Sequence, residues 1–171
     1  MKKIFLLVFT ILLSNFSQAQ FFSKRKANKD TEKWRYEVSC VDYASSTNVV
    51  IKVFSFSKKP KVAIEQAKKN AIHAVIFQGI NTGNCGTKNA LITNPNTKDE
   101  KQEYFKDFFA TGGKYMKFVT ASNNGRVKPG DVSKISKKEY KIGVIVSVDR
   151  QALKKELEAA GILQNIGNIF K

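Results

Sequence analysis

The chain has 171 residues, with 30 Lys and Arg against 14 Asp and Glu, one histidine and two cysteines, and it is 42% hydrophobic at a formal charge of +16. One histidine and few acids leave little material for a metal site or an acid–base pair, and two cysteines without Cys-x-x-Cys spacing exclude a dithiol redox pair and a zinc cluster. The positive excess favours encounter with something acidic: lipid head groups, lipopolysaccharide phosphates, an anionic polymer or an acidic protein. Because the lysines are scattered through every segment rather than gathered, solubility alone is the simpler account of the charge.

The chain opens with Lys2 and Lys3, an apolar run from Ile4 to Leu13 and the polar end Ser14-Asn15-Phe16-Ser17-Gln18-Ala19. This is the pattern of a cleavable secretory signal over residues 1–19, with small residues at Ser17 and Ala19 placing the cut before Gln20. As a helix the apolar run covers about 15 Å, half of a hydrocarbon core of about 30 Å, which argues against a membrane anchor. Beyond Gln20 no apolar stretch approaches spanning length, so no transmembrane segment is expected after signal removal. Processing removes two lysines and no acid, leaving 152 residues at +14, the size of one domain.

Residues 20–33 are polar and basic without a period and predict a mobile leader ahead of a single domain over 34–171. Trp34, Tyr36, Val38 and Cys40 alternate with Arg35, Glu37 and Ser39, predicting a strand with one buried face. A second β-rich run, Val49 to Phe56, is apolar on both faces and completes a hairpin. Pro60 opens a helix over 61–78 whose stripe of Ala63, Ile64, Ala67, Ala71, Ala74 and Val75 faces the core, opposite Glu65, Gln66, Lys69 and Asn70; Gly79 stops it. Residues 80–100 form a long connection with turn signals at Gly83-Asn84-Cys85-Gly86 and Asn94-Pro95-Asn96. Such loops are often functional, and Asn81, Asn84, Lys88, Asn89 and Asn94 are its candidate binding residues.

A short helix is expected over Glu103–Ala110, a strand over Tyr115–Ala121 and, after a polar connection, a clear strand through Tyr140, Ile142, Val144, Val146 and Val148. Asp149 can cap a final helix that buries Leu153 and Leu157 and ends at Gly161. The tail, Ile162 to Lys171, keeps apolar residues at helical spacing. The order ββααββα predicts an α+β fold, an antiparallel or mixed sheet of about four strands with two or three helices on one face.

Val146-Ser147-Val148-Asp149 followed by Leu153, Leu157 and Gly161, together with the alanine-striped helix, resembles the small α/β modules of flagellar- and curli-type outer-membrane assembly factors. The resemblance covers about half of the chain and implies an exported, non-enzymatic module that helps build or secure an envelope structure. The loop around Cys85 departs from that pattern, and the lipid-attachment cysteine common in such proteins is missing. Gln20 and the Ser-Gln-Ala-Gln ending also resemble exported proteins of Bacteroidetes type. No functional residues carry over from either likeness.

Export places Cys40 and Cys85 in an oxidising compartment, where a bridge would stabilise the fold by roughly 4 kcal/mol. His73 falls on the polar side of its helix and is expected to be a solvated surface histidine. No catalytic, cofactor-binding or metal-ligating set emerges, and no cofactor is expected. The aromatic group Tyr104, Phe105, Phe108, Phe109, Tyr115 and Phe118 has the spacing of a core cluster, with a stacking platform as the sharper alternative. Lys58, Lys59, Lys61, Lys68, Lys69, Lys137 and Lys138 form the candidate basic surface. The expectation is an exported, non-enzymatic envelope binding or assembly module, periplasmic or outer-membrane associated, engaging an acidic envelope component or protein rather than nucleic acid. Two alternatives stand beside it: charge-driven binding of an anionic polymer or lipid, and a small enzyme working through Asp107, His73 or Asp149.

Overall fold

The computed structural model describes residues 34–41, 48–81, 86–137 and 139–164, with Phe22 and Lys26 apart from them. The expected signal, the rest of the leader, Asn84, Cys85, Lys138, the side chain of Cys40 and the tail from residue 165 lie outside the described residues, and with them the candidate disulfide.

The fold is α+β. In chain order it comprises β1 (Tyr36–Cys40), β2 (Asn48–Ser57), α1 (Pro60–His73) continuing as a π-helical turn (Ala74–Gln78), and β3 (Ile80–Asn81) with β4 (Thr87–Lys88). There follow α2 (Thr97–Glu100), α3 (Gln102–Phe108), a 3-10 turn (Lys114–Phe118), β5 (Val119–Ala121), β6 (Val132–Ser136), β7 (Glu139–Asp149) and α4 (Arg150–Ala159). The main sheet is antiparallel and runs β1-β2-β7-β5, with β6 also paired to β7. β7 is long enough to serve both: β6 pairs with its first half and β5 with its last residues.

Register explains the core. β2 and β7 set Val49 opposite Val148, Ile51 opposite Val146 and Val53 opposite Val144, all six fully buried. The alanine stripe of α1 lies on this face, and Phe108, Leu153 and Leu157 join the same cluster. Burying each such Val, Ile or Leu contributes roughly 1.5–3 kcal/mol. The alanines have no bulk to hold the helix away from the sheet, which is why Ala63, Ala67, Ala71 and Ala74 are wholly inaccessible.

β2 is apolar on both faces because its outer face carries a second, thinner layer. Phe54 lies across Gly143 on the neighbouring strand, and a Cβ there would stand 2.7 Å from its ring. Lys141 sits 4.9 Å from the centre of that ring and Arg35 3.9 Å from that of Phe56. The cations are held by carboxylates in turn: Arg35 by Glu139, Lys141 by Glu37, and nearby Lys52 by Asp131.

Three expectations change. The strand expected over Tyr115–Ala121 is a 3-10 turn for most of its length and a strand only from Val119. The polar connection before β7 contains β6, exposed along its whole length, where backbone pairing with β7 makes the strand without side-chain burial. Residues 80–100 include the β3–β4 pair and α2, so the order ββααββα is a simplification. That segment is tied to the end of α1: Leu91 N–H donates to Val75 O and Ile92 N–H to Ile76 O, carbonyls that the helix end does not use. Gly79 makes the exit, with φ 73° and the Lys88 carbonyl 2.8 Å from where a Cβ would stand, so only glycine fits. Among the described residues no helix is long and apolar enough to cross a membrane.

Candidate functional site

The polar flank of α1 beside the alanine stripe is not solvated. Gln66, Lys69, Asn70 and His73 are 2%, 6%, 1% and 5% exposed, which corrects both the reading of His73 as a surface histidine and the place of Lys69 in a basic surface. Helical periodicity reports one partner layer, and here there are two. On the strand side, the Gln66 amide donates to Phe56 O, the Asn70 amide donates to Ser55 Oγ, and His73 Nδ1 lies 2.8 Å from the Tyr36 hydroxyl.

The second layer begins with Trp34. The alternation of β1 would make it the first inward residue of the strand, yet the strand starts at Tyr36 and Trp34 has φ 47°. For a bulky residue this costs roughly 1–2 kcal/mol. Its return is the stack Trp34 makes on His73, ring centres 3.8 Å apart at 18°, and its edge contact with Phe109 at 5.1 Å.

Between Trp34, the last turns of α1 and the α2–α3 pair lies a cleft of about 530 Å³. Its apolar walls are Trp34, Phe77, Phe105 and Phe109; its polar residues are Lys69, Lys98, Lys106, Asp99 and Gln102. Lys69 Nζ stands 5.4 Å from the Trp34 ring centre and Lys98 Nζ 5.7 Å from it, with Lys98 also 5.6 Å from Phe77. Two ammonium groups thus converge on one indole, an attraction worth about 0.5–2 kcal/mol each. The volume falls within the range of about 300–1,000 Å³ usual for small-molecule sites.

The electrostatics agree with the geometry. His73 is pushed down to about 3, first by burial and then by the positive charges of Lys98 and Lys69, so it is neutral at physiological pH. Burial raises Tyr36 well above the usual phenol range, so its hydroxyl keeps the proton and can donate to His73 Nδ1. The histidine is thereby a wall element that seats Trp34.

The aromatic group of the α3 region divides. Phe105, Phe108, Phe109, Tyr115 and Phe118 are buried as a core cluster, while Phe105 and Phe109 also show ring surface to the cleft. The candidate loop residues do not converge on it. Asn81 accepts from the Thr87 hydroxyl and Asn94 Oδ1 from the Asn96 N–H within the segment, while the Asn89 carbonyl accepts from Arg150 at the start of α4; Lys88 of β4 pairs with Ile80 of β3. Lys58, Lys59, Lys61 and Lys137 are exposed, and Lys68 is engaged by Glu65. Asp149 accepts from Ala152 N–H as the cap of α4, and Asp107 is exposed. Of the cleft's residues, Phe105 and Phe109 belong to the aromatic group and Lys69 to the candidate basic surface; Trp34 carries the pattern of a strand and Lys98 lies in a polar connection, so nothing in the sequence joins them to the others. No family model matches the chain, and no curated protein or solved structure is significantly similar to it.

Proposed function

We propose that the chain is an exported, non-enzymatic binding module of the cell envelope that takes hold of an acidic envelope component through the cleft beside Trp34. The residues 1–19 pattern supports export, and the charge of +14 after cleavage supports an acidic partner. One observation carries the reading: among the described residues, four aromatic rings line a cleft to which three lysines and one carboxylate contribute, while the one histidine of the chain seats the indole. A binding site needs shape and charge of this kind; a hydrolytic site needs a nucleophile and base in mutual reach.

The test is co-sedimentation of the processed protein with isolated envelopes, comparing the natural chain, a Lys98→Gln/Lys106→Gln variant and a Lys58→Gln/Lys59→Gln/Lys61→Gln variant. The cleft variant is expected to bind about tenfold more weakly, the loss of roughly one charge-assisted contact, and the scattered variant to bind as the natural chain does. Equal losses in both variants would replace site-specific binding with diffuse attraction to an anionic polymer or lipid. Recovery of a working form that retains Met1 inside the cell would overturn export.

A further inference from the structure

We infer that the ligand of the cleft is a phosphorylated pyranose, its saturated ring resting against Trp34, Phe77 and Phe109 and its phosphate held at Lys98, with Lys69 and Lys106 adding positive charge. The inference rests on the reading of the cleft as the binding site and names the chemistry it selects.

The first argument is the pitch of the walls. Trp34 meets Phe109 at 67° and Phe77 meets Phe105 at 65°, so the rings form an angled enclosure rather than a parallel-sided slot. One face of the indole is already covered by His73. A planar base gains most from a parallel stacking partner, whereas a puckered sugar directs C–H bonds in several directions and can meet faces set at steep angles.

The second argument is the mixture of polar groups. A bare anion site has no use for a carboxylate, yet Asp99 lines the cleft with Gln102. A carboxylate and an amide accept from and donate to hydroxyl groups, which phosphate alone lacks and a sugar has in plenty. The lysines supply the complementary end: Lys98 and Lys106 line the cleft with Lys69, and the ammonium groups of Lys69 and Lys98 stand 5.4 and 5.7 Å from the centre of the same indole ring, so the positive charge of the cleft lies beside Trp34. The volume of this open cleft suits one or two sugar rings.

Trp34 is the only tryptophan in the chain, so its fluorescence reports this site and no other. The experiment titrates the processed protein with glucose 1-phosphate, glucose, inorganic phosphate and adenosine monophosphate at low salt. Glucose 1-phosphate is expected to change Trp34 emission with saturation, and glucose and phosphate each to bind at least about tenfold more weakly, since each offers half of the contacts. Lys98→Gln should weaken glucose 1-phosphate about tenfold while leaving the far-ultraviolet circular dichroism unchanged. Repeating the titration with vesicles carrying a glycolipid with a phosphorylated sugar head group tells a membrane-borne ligand from a soluble one, the tighter of the two naming the source. Inorganic phosphate binding as tightly as glucose 1-phosphate, or adenosine monophosphate binding more tightly, would overturn the sugar while leaving the cleft an anion site. A silent Trp34 with envelope binding still lost in the Lys98→Gln/Lys106→Gln variant would overturn the sugar alone. A silent Trp34 with envelope binding intact in that variant would overturn both readings.

Discussion

His73 offers the sharpest test of how the cleft is built. It is held neutral by burial and by Lys98 and Lys69, with its proton affinity pushed down to about 3 from an ordinary 6.5. The unfolded chain therefore binds a proton that the folded chain refuses between those limits, so stability falls as pH drops below 6.5 and the loss stops near 3. The slope is about 1.4 kcal/mol per pH unit, which gives about 2 kcal/mol lost by about pH 5 and roughly 5 kcal/mol in full. For a domain of this size, 2 kcal/mol corresponds to a fall in Tm of roughly 4–8 °C. Carboxylates contribute over part of the same range, so the measurement is the difference between the natural chain and His73→Gln, which retains a polar side chain but does not titrate. Because the chain has one histidine, proton nuclear magnetic resonance of an untagged protein follows its ring directly. No titration between about pH 8 and about pH 5 is expected. A midpoint near 6.5, or parallel stability curves for the two proteins, would refute the burial of this ring beneath Trp34 and the two lysines.

Two further perturbations test the frame that positions the cleft. Asp149→Ala removes the acceptor 2.8 Å from Ala152 N–H at the start of α4 and should cost about 1 kcal/mol in urea unfolding, with Asp149→Asn close to the natural chain. Gly143→Val puts bulk where the Phe54 ring lies 2.7 Å from a Cβ position and should cost about 1–3 kcal/mol; combining it with Phe54→Ala should recover part of that loss, and failure to recover any would contradict the cross-strand packing.

The parts of the fold legible in the sequence are those where one partner layer determines the pattern. In β7, Ile142, Val144, Val146 and Val148 are buried as their alternation requires, and the alanines of α1 lie on the sheet as their stripe requires. β6 gave no signal because Val132 and Ile135 are 39% and 51% exposed, and backbone pairing alone makes it a strand. The cleft was hidden for a different reason. Gln66, Lys69, Asn70 and His73 have the composition of a wet face, yet β2 covers Gln66 and Asn70, and Tyr36 and the reversal at Trp34 cover His73. That covering joins residues distant in sequence, which no helical period can announce. Strain at Trp34 is consistent with this division, since backbone conformations of this kind gather at functional sites.

The central claim, that the space beside Trp34 draws in anions, is tested most directly by quenching the fluorescence of this single indole with iodide and with caesium at low ionic strength. The lysines of the cleft predict that iodide quenches severalfold more effectively than caesium, that added neutral salt narrows the gap, and that Lys98→Gln narrows it further. Caesium quenching as well as or better than iodide would contradict the account.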